Sequence, residues 1–212
     1  ISEIGSFPKE WKLSIRQPIA NTVDALTVNP GFIAFTKSLR AFVYLKLLHP
    51  LDIFLTHIPW WYTMGVFTLI GYFTVGLRFA FTTALLLLFI GACGIWTHSM
   101  ITLSSVLVSV TLCFALGVPL GIIASYNERF RNAQNVVLDA MQTLPYFCYL
   151  IPVLMFFGGG IVSAVLATVI YSIPPIIRLT SLGLTQVSGS YSEVSRSFGG
   201  TLLQTLGKVK FP

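Results

Sequence analysis

From Pro59 to Ile177 the chain is almost continuously apolar, interrupted only at short intervals. The interruptions are Arg78, the Thr97-His98-Ser99 triplet, the NERFRN stretch of Asn127 to Asn132, and Gly158 to Gly160. They divide the stretch into runs at 59–77, 79–96, 100–125, 136–157 and 161–177. A helix needs about 20 residues to cross the hydrocarbon, so the pattern predicts five spans, the last a little short. Trp60, Trp61 and Tyr62 open the first run as an interfacial aromatic anchor. The expected class is an all-α membrane protein, a polytopic helical bundle filling residues 58–212.

Residues 1–57 read differently. PKEWKLSIRQP (8–18) and Asn29 to Gly31 carry turn chemistry. From Phe32 the chain is apolar but punctuated by Lys37, Arg40, Lys46, His49 and Asp52. A charge near a helix centre costs about 2.5 to 3.5 kcal/mol on insertion scales, so several together argue against a span. An amphipathic helix at the membrane interface is expected here, ahead of a tilted span.

Composition sharpens the membrane reading. Of 212 residues, 55% are hydrophobic and 9% charged, against about a quarter charged in soluble domains. The net charge of +6 comes from basic residues at the ends of apolar runs, where topology is set. A nucleic-acid binder would gather them on one soluble face. Arg78, Arg129, Arg131, Arg178, Arg196, Lys208 and Lys210 fall on one side, while the loops at 97–99 and 158–160 carry no Lys or Arg. The basic side is therefore expected to be cytoplasmic, in a plasma (inner) membrane, and so is the closing segment 188–212. Five spans would leave the basic N-terminal region outside. Either a long tail escapes the short-loop rule, or a further span lies within 32–57.

Candidate chemistry is sparse. Cys93, Cys113 and Cys148 sit in apolar runs and form no metal-like spacing with His49, His57 or His98, so no metal site or disulfide framework is suggested. No secretory signal peptide is evident, and the chain opens on Ile1, as a fragment or processed product would. Pro119, Pro145, Pro152, Pro174 and Pro175 are candidate hinges, because each removes a backbone donor inside the membrane. Pro174 with Pro175 is expected to end the fifth helix. Gly117 and Gly121, at i and i+4, would let a neighbouring helix approach closely. Asp139 is the acidic residue within the five runs, with Gln142 at i+3. It is expected either to tie helices together or to couple protons.

The closing segment EVSRSFGGTLLQTLGKVKFP has its own grammar. Ser190 with Glu193 and Thr201 with Gln204 each spell a capping box, and Gly199-Gly200 between them suits a left-handed helix end. Leu202, Leu203, Leu206 and Val209 then make one apolar stripe. Such a ridge is too short to fold alone and needs a protein groove or the lipid surface.

These residues resemble the loop shared by permease subunits of bacterial ABC importers. That loop has an E-A-A triplet, a glycine four residues after its last alanine, and a hydrophobic-x-Leu-Pro ending. The corresponding positions are Glu193-Val194-Ser195, Gly199 and Val209-Lys210-Phe211-Pro212. SMITLSSVLVSVTLCFALGVPLGI (99–122), LDAMQTLPYFCYLIPVLMFFGGG (138–160) and SIPPIIRLTSLGLTQV (172–187) extend the likeness to permeases of the glycine betaine/proline type, over roughly 59–212. The resemblance implies a transport subunit rather than an enzyme. It would work with a cytoplasmic ATP-binding subunit, an extracytoplasmic solute-binding protein and a second permease chain, as a homodimer. The chain has no phosphate-binding G-x-x-x-x-G-K-[ST] loop, so no cofactor is expected in it, with ATP and Mg held by the partner. Carried over position by position, ATPase coupling falls to Glu193, Ser195, Phe198, Gly199, Leu202, Leu206 and Pro212. Members of that family continue past the final proline into at least one further span.

Gln142, Tyr146, Phe147 and Tyr149 are candidates for the substrate path. Their aromatic faces suit a quaternary ammonium, or else they are packed or lipid-facing rings. The selective cage itself is implied in the binding protein. Against this stand an ion-coupled secondary transporter or channel, which would want more intramembrane carboxylates or an inverted repeat, and a membrane-embedded enzyme, which would want a clustered acid, base or nucleophile.

Overall fold

The computed structural model describes residues 21, 23, 25, 27–187, 194, 195, 197–199, 201–205 and 207, with Leu202 and Leu203 described by backbone alone. Every regular element among the described residues is helical. In chain order they are α1 (Pro30–His57), α2 (Trp60–Thr74), α3 (Leu77–Ala92), α4 (Trp96–Tyr126), α5 (Glu128–Thr143), α6 (Phe147–Phe157), α7 (Ile161–Gln186) and the short α8 (Leu202–Thr205). The protein is an all-α membrane protein.

The centre is the pair α4 and α7, which run parallel and in close contact. Cys113 faces Val169, whose carbonyl accepts its thiol at 3.7 Å, while Gly117 faces Ile173 and Ile176, and Gly121 faces Ile177 and Thr180. Here glycine is a steric requirement. A Cβ at Gly117 would lie 2.7 Å from Cγ2 of Ile176, and one at Gly121 would lie 2.6 Å from Cβ of Thr180 and 2.9 Å from the Ile177 carbonyl. The small-residue pair read from the sequence is the contact that lets two backbones approach.

Several expected boundaries are corrected. Of the five predicted spans, only α4 (31 residues) and α7 (26 residues) are long and apolar enough to cross a membrane alone. Treating each bent pair, α1 with α2 and α5 with α6, as one span raises the number to four among the described residues, and α3 is a shorter apolar helix. The expected fourth span at 136–157 is two helices meeting at 93°. Its first half, α5, starts at Glu128 rather than in a loop, with the Asn127 side chain accepting from the Phe130 N–H at 3.1 Å. Pro174 and Pro175 do not end α7, which continues to Gln186. Pro174 is instead fully buried; a helix packed on a neighbour tolerates carbonyls that proline leaves unpaired. Helices α2 and α3 turn at Val75-Gly76, so Arg78 lies in the first turn of α3, and His98 lies inside α4.

The N-terminal helix departs most from expectation. Asn29 to Gly31, read as a turn, is a helix start. The Asn29 side chain accepts from Gly31 N–H (2.9 Å) and Phe32 N–H (3.3 Å), with Pro30 as the first helical residue. From there α1 runs to His57, widening into a π turn at Val43–Leu48, just ahead of Pro50, which has no N–H to donate. Its apolar stripe packs on protein rather than on a lipid interface. Val43 and Leu48 join Val108, Cys113, Val162, Val165 and Val169 in one core cluster. Two of the five polar residues that argued against a span have hydrogen-bond partners. Arg40 donates to the carbonyls of Phe157 (3.0 Å) and Gly159 (3.4 Å), and Asp52 accepts from the Ser104 hydroxyl. Phe32 adds an edge-on contact to Phe156 at 5.2 Å. Thus α1 ties the α6–α7 turn to α4. That turn needs its glycines, since Gly158 and Gly160 have φ of 75° and 134°.

Candidate functional site: a helix break and a glycine bend

Three local arrangements carry the polar and aromatic residues singled out from the sequence. The first is the bend after α7. Gly199 has φ 76° with nothing within 4 Å of a built Cβ, so conformation rather than space calls for glycine there. The Thr201–Gln204 capping box is made reciprocally: Thr201 N–H donates to the Gln204 side-chain oxygen (2.9 Å), and Gln204 N–H donates to the Thr201 hydroxyl (3.4 Å). Ser195 and Thr205 join hydroxyls across the bend at 2.8 Å, and Thr205 is buried. Phe198 stands out at 88% exposed. Leu202 begins the four-residue helix α8. Glu193, Leu206 and Pro212, with Ser190, Gly200 and Val209, lie outside the described residues.

The second is the break between α5 and α6. The chain leaves α5 extended at Leu144 (ψ 134°), passes Pro145 and re-enters a helix at Phe147. Of the five candidate hinge prolines, Pro145 is the one at a break; Pro119, Pro152, Pro174 and Pro175 lie inside helices. Pro145 cannot donate to the Met141 carbonyl, and the Tyr149 hydroxyl does so instead. Thr143 likewise returns its hydroxyl to Ala140 O at 2.9 Å. Gln142, Tyr146 and Phe147 are exposed at this corner. The rings of Tyr146 and Phe147 lie 4.1 Å apart at 37°, and Tyr171 of α7 stands edge-on to Tyr146 at 6.1 Å. Tyr149 is therefore spent as a cap. Tyr171, missed in the sequence, takes the third place. Nothing in a single sequence links positions 25 residues apart.

The third is a cleft of about 600 Å³ between α4, α5 and α7, lined in part by Arg131, Gln134, Asp139, Arg178 and Ser181. Asp139 accepts from Arg178 at 2.5 Å, joining α5 to α7, and Arg131 reaches Glu128 at 3.3 Å. Among the described residues the buried Gln134 carbonyl oxygen and Ser181 hydroxyl have no hydrogen-bond partner.

Residues 117–212, which include all three arrangements in large part, match the family of binding-protein-dependent transport system inner membrane components. That stretch carries the family's domain, and the chain sits in the membrane. It is 44% identical over 147 residues to the glycine betaine/proline betaine transport system permease protein ProW of Escherichia coli (strain K12), covering 69% of this chain and 42% of that protein. It is 39% identical over 165 residues to the glycine betaine transport system permease protein OpuAB of Bacillus subtilis (strain 168), covering 76% and 53%. With the trimethylamine N-oxide transport system permease protein TmoV of Ruegeria pomeroyi the identity is 35% over 179 residues, covering 84% and 27%. The chain thus spans about half or less of the length of these relatives.

Proposed function

We propose that this chain is the permease component of an ATP-driven, binding-protein-dependent importer of small methylated-ammonium solutes of the glycine betaine type. The observation that carries the reading is the bend at residues 194–205, inside the segment shared with the family. A ring 88% exposed, held on a left-handed glycine and locked by a hydroxyl pair and a capping box, is a rigid apolar protrusion in need of a partner. An ATP-binding subunit on the cytoplasmic side supplies that partner, together with ATP and Mg. Ser195, Phe198, Gly199 and Leu202 form the coupling contact, with Glu193, Leu206 and Pro212 continuing it. The distribution of Arg and Lys supports a multi-pass chain with this bend in the cytoplasm. An extracytoplasmic solute-binding protein and a second copy of the permease complete the assembly. Ion coupling finds less support, since the carboxylate Asp139 is already engaged by Arg178.

The test is uptake into proteoliposomes holding the permease, its ATP-binding subunit and its binding protein. Phe198→Asp places a charge on the protrusion, and Gly199→Pro forbids a φ of 76°. Each is expected to lower glycine betaine uptake at least about tenfold while ATP hydrolysis continues, a rise of about 1.4 kcal/mol or more in the barrier to uptake. Normal uptake by both variants, or uptake that persists without the ATP-binding subunit and collapses with an uncoupler, would refute it.

A further inference from the structure

We propose that Tyr146, Phe147 and Tyr171 form a binding site for the methylated-ammonium group of the solute, inside the membrane, at the corner between α5 and α6. The inference rests on the solute class proposed above and adds a place for it within the permease.

The position of the corner argues first. Tyr171 is the eleventh residue of the 26-residue α7, about 15 Å along a helix about 39 Å long at 1.5 Å per residue. Tyrosine favours the two membrane–water interfaces, not the middle of a span. A phenol set in lipid at that depth would leave its hydroxyl without a partner. Tyr146 and Tyr171 are nonetheless about half exposed, at 55% and 52%.

Backbone chemistry argues second. The last four carbonyls of a helix have no intrahelical donor. At the end of α5, Thr143 and Tyr149 satisfy Ala140 and Met141. Among the described residues that leaves the carbonyls of Gln142 and Thr143, both on exposed residues, beside an extended Leu144 and a proline. Lipid cannot satisfy such groups, so non-helical backbone at this depth must face protein or a hydrated path. The C-terminal end of α5 is also the negative end of its dipole, which favours a cation.

The rings supply the third element. Tyr146 and Phe147 are tilted by 37° at 4.1 Å, and Tyr171 turns 66° from Tyr146 at 6.1 Å. Differently oriented ring faces gathered at one corner are what a methylated ammonium takes, through the negative charge of those faces. Betaines and trimethylamine N-oxide, the solutes in the relatives' names, share one chemical group: a methylated, four-coordinate, positively charged nitrogen with no N–H to donate. Such a nitrogen cannot use a hydrogen-bond acceptor, and aromatic faces are the selective alternative. Tyr149 stands outside the site because its hydroxyl caps α5.

The experiment uses the complete transporter in proteoliposomes with radiolabelled glycine betaine, at saturating binding protein. Tyr171→Leu and Tyr146→Leu are expected to raise the KM for uptake about tenfold, whereas Tyr171→Phe and Tyr146→Phe stay within about twofold of the parent. Assembly with the ATP-binding subunit is followed by size-exclusion chromatography. As a second measurement that leaves shape nearly unchanged, successive fluorination of the Phe147 ring withdraws charge from its face, and KM is expected to rise with each fluorine. A KM that ignores fluorination, or leucine variants that transport like the parent, overturns the site while leaving the importer reading intact. A parent complex that takes up no methylated-ammonium solute overturns the solute class, and the site with it.

Discussion

The α4–α7 pair and the α2–α3 hairpin are built from equally apolar sequence, yet they are folded by different rules. Along α4 the buried positions are Met100, Ser104, Val108, Ser109, Cys113, Gly117, Gly121 and Ala124, a stripe at nearly four-residue spacing and mostly of small residues. Its partner α7 answers with Val162, Val165, Val169, Pro174, Ile177, Ser181 and Leu184. In the hairpin, α2 buries Thr63 and Gly71, and α3 buries Ala80. Phe73, Leu77, Phe81 and Phe89 stay between 66% and 80% exposed. In lipid, apolar side chains gain nothing by leaving one hydrocarbon for another, so packing of small residues decides which helices meet. Hydrophobicity places both regions in the membrane; the long stripe of small residues gives one of them an extended contact, where the other meets mainly around Gly71, against Phe79 and Thr83.

The comparison breaks most readily at Gly121. Gly121→Val would push atoms onto the Ile177 carbonyl, 2.9 Å from the built Cβ, and backbone cannot rotate away. Overpacking of this kind costs about 1 to 3 kcal/mol, with the upper end expected where backbone is met, and the thermal midpoint of the detergent-purified chain should fall accordingly. Gly117→Ala meets the Ile176 side chain instead, so its loss should be smaller. Gly65→Ala in α2 meets nothing within 4 Å and should be neutral or stabilise by up to about 1 kcal/mol through helix propensity. Equal losses at Gly121 and Gly65 would remove the distinction between the two regions.

A second pair sharpens the same contrast at leucines. Leu48 of α1 is fully buried between α4 and α7, while Leu85 of α3 is 57% exposed. Leu48→Ala leaves a cavity and should cost about 2 to 5 kcal/mol. Leu85→Ala removes only surface contact and should stay within about 0.5 kcal/mol. Thermal melts of the two variants in one detergent decide it. A Leu48→Ala loss as small as that at Leu85 would return α1 to the membrane interface, where the sequence had suggested it lay.

Legibility followed the range of the interaction. Local chemistry could be read directly. The Gly117–Gly121 spacing, the Thr201–Gln204 capping box and the glycine at 199 each need only residues a few positions apart. Long-range partners were hidden. Arg40 and Asp52 argued for an interfacial helix because the Phe157 and Gly159 carbonyls and Ser104, which receive or supply their hydrogen bonds, are far along the chain. Tyr171 was overlooked at the aromatic corner for the same reason. Proline was ambiguous in both directions: Pro145 turned an expected span through 93°, while Pro174-Pro175 sits within a continuous helix. One-dimensional pattern does not show whether neighbouring helices support the freed carbonyls.

The smallest effect should come from the polar tie between α5 and α7. Asp139 and Arg178 meet at 2.5 Å, but their side chains are 63% and 40% exposed. Exposed ion pairs are worth about 0 to 1 kcal/mol and are screened by salt. A double-mutant cycle of Asp139→Asn and Arg178→Gln should therefore give a coupling energy under about 1 kcal/mol, falling further in high salt. The exchanged pair, Asp139→Arg with Arg178→Asp, should recover most of any loss. A carboxylate that served proton coupling would behave otherwise, because exchange would move it off α5 and its loss would stop transport without altering the melt. A coupling energy above about 2 kcal/mol, insensitive to salt, would instead mean that the assembled transporter buries this pair, and that α5 and α7 are joined as firmly as α4 and α7.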